Sequence, residues 1–368
     1  MILQGPAPSG LDLATPALIT SLAEAEALGI DADYDTDNSV DAHKAIKEFY
    51  DIALTGAQLW IMVVAQAASL TTILDVAEAN YAKLLLDAAN GGIRILTVVR
   101  NPAGGYSPTV TNGIDADVET AITKAQALAV AYTAQYKPFR VILPVYAYND
   151  TPGDLPDLRA LTANRVAVML GDTASGATSA VGIALGRAAA IPVQRNLGRV
   201  KDNALPITAA YIGTSTVEEA AGDVATIHDK GFITFRRHVG FAGYYFSDDP
   251  MAAPASDDYG QLANGRVIDK AIFLAYRTYV QELLDEVLID PATGQIQRGQ
   301  AKYLQEVVRT VIDNQMTASG EISGVSVEVD PAQNVLSTGK VCIKIRITPV
   351  GYLREIEVEL GFVNNANA

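Results

Sequence analysis

The sequence predicts an α/β protein in two parts. An open, mostly parallel α/β sheet domain covers residues 1–192, and an α+β domain that closes on a small β-sheet covers residues 193–368. Three observations carry this reading. Short apolar runs alternate with helix-period segments over roughly the first 190 residues, as in successive strand–helix units. Two long helical patterns follow each other after residue 260. The stretch 321–362, EISGVSVEVDPAQNVLSTGKVCIKIRITPVGYLREIEVELGF, contains strictly alternating runs, the period of half-buried strands. A length of 368 residues also exceeds one ordinary core.

In chain order, residues 2–20 begin as a short strand and continue as a Pro/Gly-punctuated link. Leu22 to Leu28 makes a short helix closed by Gly29. Asn38 or Ser39 caps a helix through Ala53, with Ala42, Ala45, Ile46, Phe49 and Tyr50 on its buried face. Leu59–Val64 is continuously apolar, as expected of a strand covered on both sides. Ser69 starts a helix that ends near Asn90-Gly91, and Asp115 or Asp117 starts one through Ala134. Ile93–Val99, Phe139–Val145 and Arg165–Leu170 are further strands, and Thr178–Ala189 is a small-residue helix before Ile191-Pro192. Beyond Pro192 the pattern changes. Residues 193–215 are irregular, Val217–Lys230 is a helix, and Phe232–Arg237 pairs with Ala242–Phe246 around Gly240. A polar segment, Ser247–Gly260, precedes a long helix that begins at Asn264 and spans Val267–Leu288, and a second helix runs from Arg298 to about Met316.

In the terminal sheet, Val341, Ile343, Ile345 and Ile347 share one face, opposite Cys342, Lys344, Arg346 and Thr348. Ile356, Val358 and Leu360 face away from Glu355, Glu357 and Glu359. With residues 349–352 as a loop, Arg346 faces Glu355 and Lys344 faces Glu357, so one register satisfies both faces. Val325, Val327 and Val329 have the same period. A small sheet with open edges invites a strand from another chain.

Composition narrows the function. A net charge of −15 opposes sequence-independent nucleic-acid binding, which depends on basic residues neutralising phosphates. Cys342 is the single cysteine, so no disulfide framework forms within the chain, and a reducing compartment of synthesis is expected. The opening residues lack a signal-peptide pattern, and no apolar run reaches the ~18 residues of a membrane span. Three histidines, His43, His228 and His238, are a thin supply for acid–base or metal chemistry.

Several segments invite a chemical reading. Gly171-Asp172-Thr173-Ala174-Ser175-Gly176-Ala177-Thr178 has the spacing and context of a phosphate loop, but Ala177 stands where the lysine belongs. A phosphate- or nucleotide-binding enzyme built on this loop is the alternative function; a turn that admits a closely packed helix weighs more. Gly182 and Gly186 suggest close helix packing rather than a dinucleotide fingerprint. Arg187, Arg195, Arg199 and Lys201 form a basic cluster read as a salt-bridged subunit contact or, less favoured, an anion site. Arg236-Arg237-His238 beside Phe241, Tyr244, Tyr245 and Phe246 is read as a half-buried hairpin rather than a single-strand nucleic-acid platform. Asp248-Asp249 and Asp257-Asp258 lack a calcium-loop pattern and are read as a solvated loop. No nucleophile elbow or zinc spacing is present. Arg298, Lys302, Gln305 and Arg309, spaced four, three and four apart, fall on one helix face, either an ordinary solvated face or a placed basic stripe.

The long helix, the basic helix and the terminal EISGVSVEVDPAQNVLSTGKVCIKIRITPVGYLREIEVELGF resemble the C-terminal part of a contractile tail sheath protein. Gly231-Phe232-Ile233-Thr234-Phe235-Arg236 through Asn264-Gly265-Arg266, and upstream LITSLAEAEALGI, AIKEFYD and LWIMVVA, are similar to the family's order of segments. The resemblance covers nearly the whole chain, is strongest after residue 205, and points to the compact sheath type. It implies a structural subunit, not an enzyme and without cofactors, whose C-terminal sheath domain completes its sheet with strands from neighbours. The implied partners are further copies in a helical or stacked-ring polymer, an inner tube, and baseplate and terminator proteins, with no nucleic acid and no membrane anchor. The implied location is synthesis in the bacterial cytoplasm and assembly into a virion tail or injection particle. It assigns tube contact to Arg298, Lys302 and Arg309, and the inter-subunit sheet to Lys344, Arg346, Glu355 and Glu357. Family members usually carry an N-terminal arm; here the predicted strand at Ile2-Leu3 follows Met1 almost at once, so strand donation from this end is not expected.

Overall fold

A computed structural model describes residues 1–176 and 178–354. Its centre is a six-stranded sheet of β1 (Ile2–Gln4), β2 (Ala17–Ile19), β3 (Leu59–Val64), β4 (Ile95–Val99), β7 (Arg140–Pro144) and β8 (Val166–Met169), in the order β2-β3-β1-β4-β7-β8. β5 (Val110–Thr111) and β6 (Ile114–Asp115) form a separate small ladder. All neighbours in the main sheet are parallel except β2, which runs antiparallel to β3 at the edge. β1, β7 and β8 are wholly buried, which is why their sequences are apolar without alternation apart from Gln4 and Arg140, both buried.

Helices α1 (Leu22–Ala27), α2 (Ala32–Asn38), α3 (Ala42–Tyr50), α4 (Leu70–Ile73), α5 (Ala82–Ala89), α6 (Ala116–Thr133) and α7 (Val181–Ala190) clothe this sheet. α7 packs along α3 because both its glycines lie against backbone. A Cβ at Gly182 would sit 2.3 Å from the Ala45 carbonyl oxygen, and one at Gly186 would sit 2.7 Å from that of Phe49. The close-packing reading of that glycine pair holds.

Several boundaries differ from expectation. The link after β1 contains β2, too short to show a period. The helix expected from Asn38 or Ser39 is two helices: Ser39, at φ 51°, closes α2, and α3 begins at Ala42. The Asp35 carboxylate accepts from the N–H groups of His43 and Lys44, both at 2.9 Å, so α3 is capped from the preceding helix. The helix after Ser69 splits into α4 and α5. The expected 217–230 helix is a set of turns leading to α8 (Val224–Asp229), after the small ladder of β9 (Tyr211–Ile212) and β10 (Ser215–Thr216). β11 (Phe235–Arg236) and β12 (Tyr245–Phe246) pair as expected, Phe235 opposite Phe246.

α9 (Leu262–Tyr279) ends well short of Leu288, giving way to one 3-10 turn at Val280–Glu282. α10 (Arg298–Ile312) continues as a π turn over Asp313–Thr317. β13 (Ile322–Val329) then pairs antiparallel with β14 (Ile343–Pro349), with α11 (Val335–Thr338) between them. The main core takes in Leu197, Leu205, Phe232, Phe246 and Leu262 as well as the sheet; Val267, Leu274, Val308, Ile312 and Ile322 begin a second core under the terminal strands.

Candidate assembly surface

The terminal sheet is amphipathic by construction. Val325 pairs with Ile347 and Val327 with Ile345, and these four rest on Val267, Ala271, Leu274, Val308 and Ile312 of α9 and α10. The alternate residues face solvent. Lys344 lies opposite Glu328, and the Arg346 guanidinium is 3.9 Å from the Glu328 carboxylate with both side chains more than half exposed. The period expected for 341–348 is therefore present, and β13 supplies one partner for it. The expected pairing of Lys344 with Glu357 and Arg346 with Glu355 lies outside the described residues.

α10 buries Ala301, Leu304, Val308 and Ile312 and leaves Arg298, Lys302 and Arg309 exposed. Gln305, on the edge of the same face, donates to the Val327 carbonyl at 2.8 Å and so ties the helix to β13. Arg309 lies 3.8 Å from Glu306 and 3.6 Å from Asp313, which leaves the turn at Arg298 and Lys302 the more cationic end.

The phosphate-loop reading meets a filled site. Asp172, buried just beyond β8, turns its carboxylate into its own loop. It accepts from the Thr173 N–H at 2.6 Å, from the Thr178 hydroxyl and from the Lys44 ammonium at 2.6 Å. Those are the donors a bound phosphate would need, and a carboxylate of the same charge sign already holds them. Glu48 accepts from the Thr173 hydroxyl at 2.8 Å, and burial pushes its carboxyl up to about 7. For Lys44, burial works against the charge, but Asp172, Asp41 and Glu48 outweigh it and raise its pKa.

The crevice where the strand order reverses, between the C-terminal ends of β1 and β4, is where open α/β sheets bind ligands. Here it too is occupied. Arg100 donates to the Gln4 side chain and the Ala68 carbonyl, each at 3.1 Å, and lies over the Tyr106 ring. Asn101 donates to Gln4 through both backbone and side chain, and the Asp117 carboxylate accepts from Leu70 and Thr71.

In the basic cluster beyond α7, three of the four cations are matched within the chain, with Arg195 and Arg199 still more than a third exposed. Buried Arg187 donates to the carbonyls of Asp202 and Asn203, and Arg195 and Arg199 both reach the Asp202 carboxylate. Lys201 is exposed. The Arg236–His238 segment is a half-buried hairpin whose Arg237 pairs with Glu218 at 2.7 Å. Asp249 is fully buried and is not part of a solvated loop: it accepts from the Ala263 N–H at 3.1 Å at the start of α9, and burial raises its pKa well above the usual carboxylate range.

One joint escaped the sequence. Arg140, fully buried in β7, makes a two-pronged bond to Asp269 of α9, at 2.7 and 3.0 Å, and donates to the carbonyls of Asn164 and Gly265. A Cβ at Gly265 would lie 2.6 Å from the Arg140 guanidinium carbon. Arg165 adds a second contact to Asp269 at 3.3 Å. The signal was an arginine inside an apolar strand, which requires a buried acid somewhere; nothing in the sequence said where.

Matches to solved structures cover both parts at once. A chain in the cryo-EM structure of the anti-feeding prophage (AFP) baseplate aligns with a TM-score of 0.66 at 13% identity, covering 98% of this chain and 92% of that one. A chain in the AFP helical sheath in its contracted state aligns at 0.62 and 15% identity, covering 98% and 91%. The sheath tail protein of Desulfitobacterium hafniense aligns at 0.52 and 9% identity, covering 95% and 96%. No curated protein matches the sequence. Residues 1–250 match the DUF2586 N-terminal domain and residues 258–367 the DUF2586 C-terminal domain, so the chain belongs to the DUF2586 family.

Proposed function

We propose that this chain is the structural subunit of a contractile sheath, which polymerises around an inner tube and shortens to drive it through a target envelope. The observation that carries the reading is the alignment of 98% of the chain with a subunit of a helical sheath. The self-filled Asp172 loop and the Arg100 crevice support it, since they remove the footing of the nucleotide-binding alternative. On this reading no cofactor is needed, and contraction is a switch between two packings of the same subunits.

The partners follow from the surfaces. Copies of the chain meet through the terminal sheet, with Lys344 and Arg346 on its exposed face and Glu355 and Glu357 in the segment beyond it. Arg298, Lys302 and Arg309 face the inner tube. Baseplate and terminator proteins cap the polymer in a virion tail or injection particle assembled after synthesis in the bacterial cytoplasm. Among the described residues no helix is long and apolar enough to cross a membrane. We read the chain as an α/β domain over 1–192 joined to an α+β sheath domain over 193–368, with residues 193–262 packed back on the first core.

Negative-stain electron microscopy of the expressed chain, alone and with tubes, tests the reading: rings or cylinders are expected. Calorimetric titration with nucleotides should give no binding; micromolar binding would restore the enzyme alternative.

A further inference from the structure

The largest side chain in β3 is the one that the strand leaves half-buried. Leu59 and Ile61 to Val64 are buried and Trp60 is not, and in β4 only Ile95, at the start of the strand, is incompletely covered. Both open onto one cavity of about 460 Å³, which residues of α7 and α9 also line. That volume falls in the roughly 300–1,000 Å³ range of small-ligand pockets. The cavity lies at the opposite end of the parallel strands from the Arg100 crevice. Its wall is mostly apolar, with Ile93, Leu185, Ile191 and Phe273 beside Trp60 and Ile95.

The charges on that wall do not cancel. Its acids are taken: Asp269 is held by Arg140 and Arg165, and Glu321 by Lys270 at 2.5 Å. Arg94 and Arg266 are left over. Arg94 is exposed, its guanidinium carbon is 4.0 Å from the centre of the Phe273 ring, and among the described residues it has no ion pair. The one acid whose field favours its charge is Asp269, which already serves two other arginines. Arg266 donates through Nη2 to the Ala188 and Ile191 carbonyls, at 2.7 and 2.9 Å, and its Nη1 has no acceptor among the described residues. Asp249 favours the Arg266 charge but bonds to Asn196 and the Ala263 N–H instead. The cavity therefore offers apolar walls and surplus positive charge, and what it lacks is a negatively charged acceptor.

We propose that this cavity binds a small amphipathic monocarboxylate of the fatty-acid type, with its apolar body against Trp60 and Phe273 and its carboxylate on Arg94. The planar guanidinium fork of Arg94 matches a carboxylate better than it matches a hydroxyl, and it would repel an amine. Burial of the apolar body against the aromatic walls supplies the remaining affinity. The site stands on the cavity and its unmatched cations, and it holds whether or not the chain polymerises. The competing occupant is an apolar segment of a second copy, which the test separates.

Trp60 is the only tryptophan in the chain, so its fluorescence reads the occupancy of the cavity directly. Titration of the full chain with decanoate should shift Trp60 emission to shorter wavelength and saturate, and decanol should bind about tenfold more weakly. Arg94→Gln should lose about tenfold in decanoate affinity, and Arg94→Lys should keep most of it. Ala189→Phe, at an exposed α7 position on the cavity wall, should block binding while the melting temperature holds. Emission unmoved by decanoate overturns the inference. Decanol binding as tightly as decanoate makes the cavity merely apolar and overturns the carboxylate assignment. Affinity unchanged in both Arg94→Gln and Ala189→Phe puts the acid elsewhere and has the same consequence. If the emission shifts with protein concentration alone, in step with polymer formation, and decanoate does not compete, a second copy fills the cavity and the small-acid site is overturned. Each of these results leaves the sheath reading to be decided by imaging of the polymer.

Discussion

The sheet domain and the terminal sheet treat polar groups in opposite ways. Around the sheet, charged side chains are drawn inward and matched within the chain: Arg140 to Asp269, Lys44 to Asp172, Arg187 to the carbonyls of Asp202 and Asn203. On β13 and β14 the charges stand outward, more than half exposed, with contacts as long as 3.9 Å. Internal matching yields a rigid block; outward charges yield a surface whose strength depends on what meets it. On the sheath reading proposed above, a subunit that keeps its shape while its neighbours change needs both.

The sharpest way to break that contrast is to attack the joint. Asp269→Ala leaves Arg140 charged, buried and unpaired, and should cost about 3–5 kcal/mol in denaturant unfolding. A loss below about 1 kcal/mol would mean that water reaches Arg140 and the block is softer than it looks.

A change of pH should come next. The Glu48 carboxyl is raised from 4.5 to about 7, so the folded state holds its proton more tightly than the unfolded chain. Stability linked to this group is present below about pH 4.5 and is lost as pH rises to about 7. Glu48→Gln, which keeps an acceptor for Thr173, should therefore exceed the wild type by up to about 3 kcal/mol at pH 8 and converge with it in acid. Parallel pH profiles of the melting temperature would show that Glu48 titrates normally.

Gly182→Val inserts atoms where the Ala45 carbonyl stands 2.3 Å from a Cβ, and overpacking there should cost about 1–3 kcal/mol. A crystal structure of the variant should show α7 displaced from α3; an unmoved helix would contradict the packing account.

The smallest effect on folding belongs to the terminal sheet. Lys344→Glu with Arg346→Glu should change unfolding free energy by less than about 1 kcal/mol, because both side chains are solvated. The same variant should fail to polymerise by electron microscopy. Normal polymers would remove these residues from the proposed inter-subunit sheet.

Much of this architecture was legible in the residues. Largely apolar runs located β3, β4, β7 and β8, because a strand covered on both faces admits a polar residue only where a buried partner meets it, as for Thr97 and Arg140. Alternation located β13 and β14, and helical period placed Arg298, Lys302 and Arg309 on the exposed side of α10. Boundaries were less legible. α2 parts from α3 at a left-handed Ser39, and α9 ends before a left-handed Leu284, neither of which carries a glycine signal. The Asp172 loop illustrates the harder limit. Its motif was readable, but that its own carboxylate fills the cradle depends on Lys44 arriving from α3.

By itself, then, the sequence determined which segments are strands and helices and which faces are apolar, since period and burial are local properties of the chain. The tertiary structure alone decided the pairings. Arg140 meets Asp269 across 129 positions, Asp172 meets Lys44 across 128, and β14 lies beside β13 with a helix between them. A charged residue carries no address for its partner: folding chooses among many acids and bases of equal local character, and only the packed arrangement brings Arg140 to Asp269 and Lys44 to Asp172.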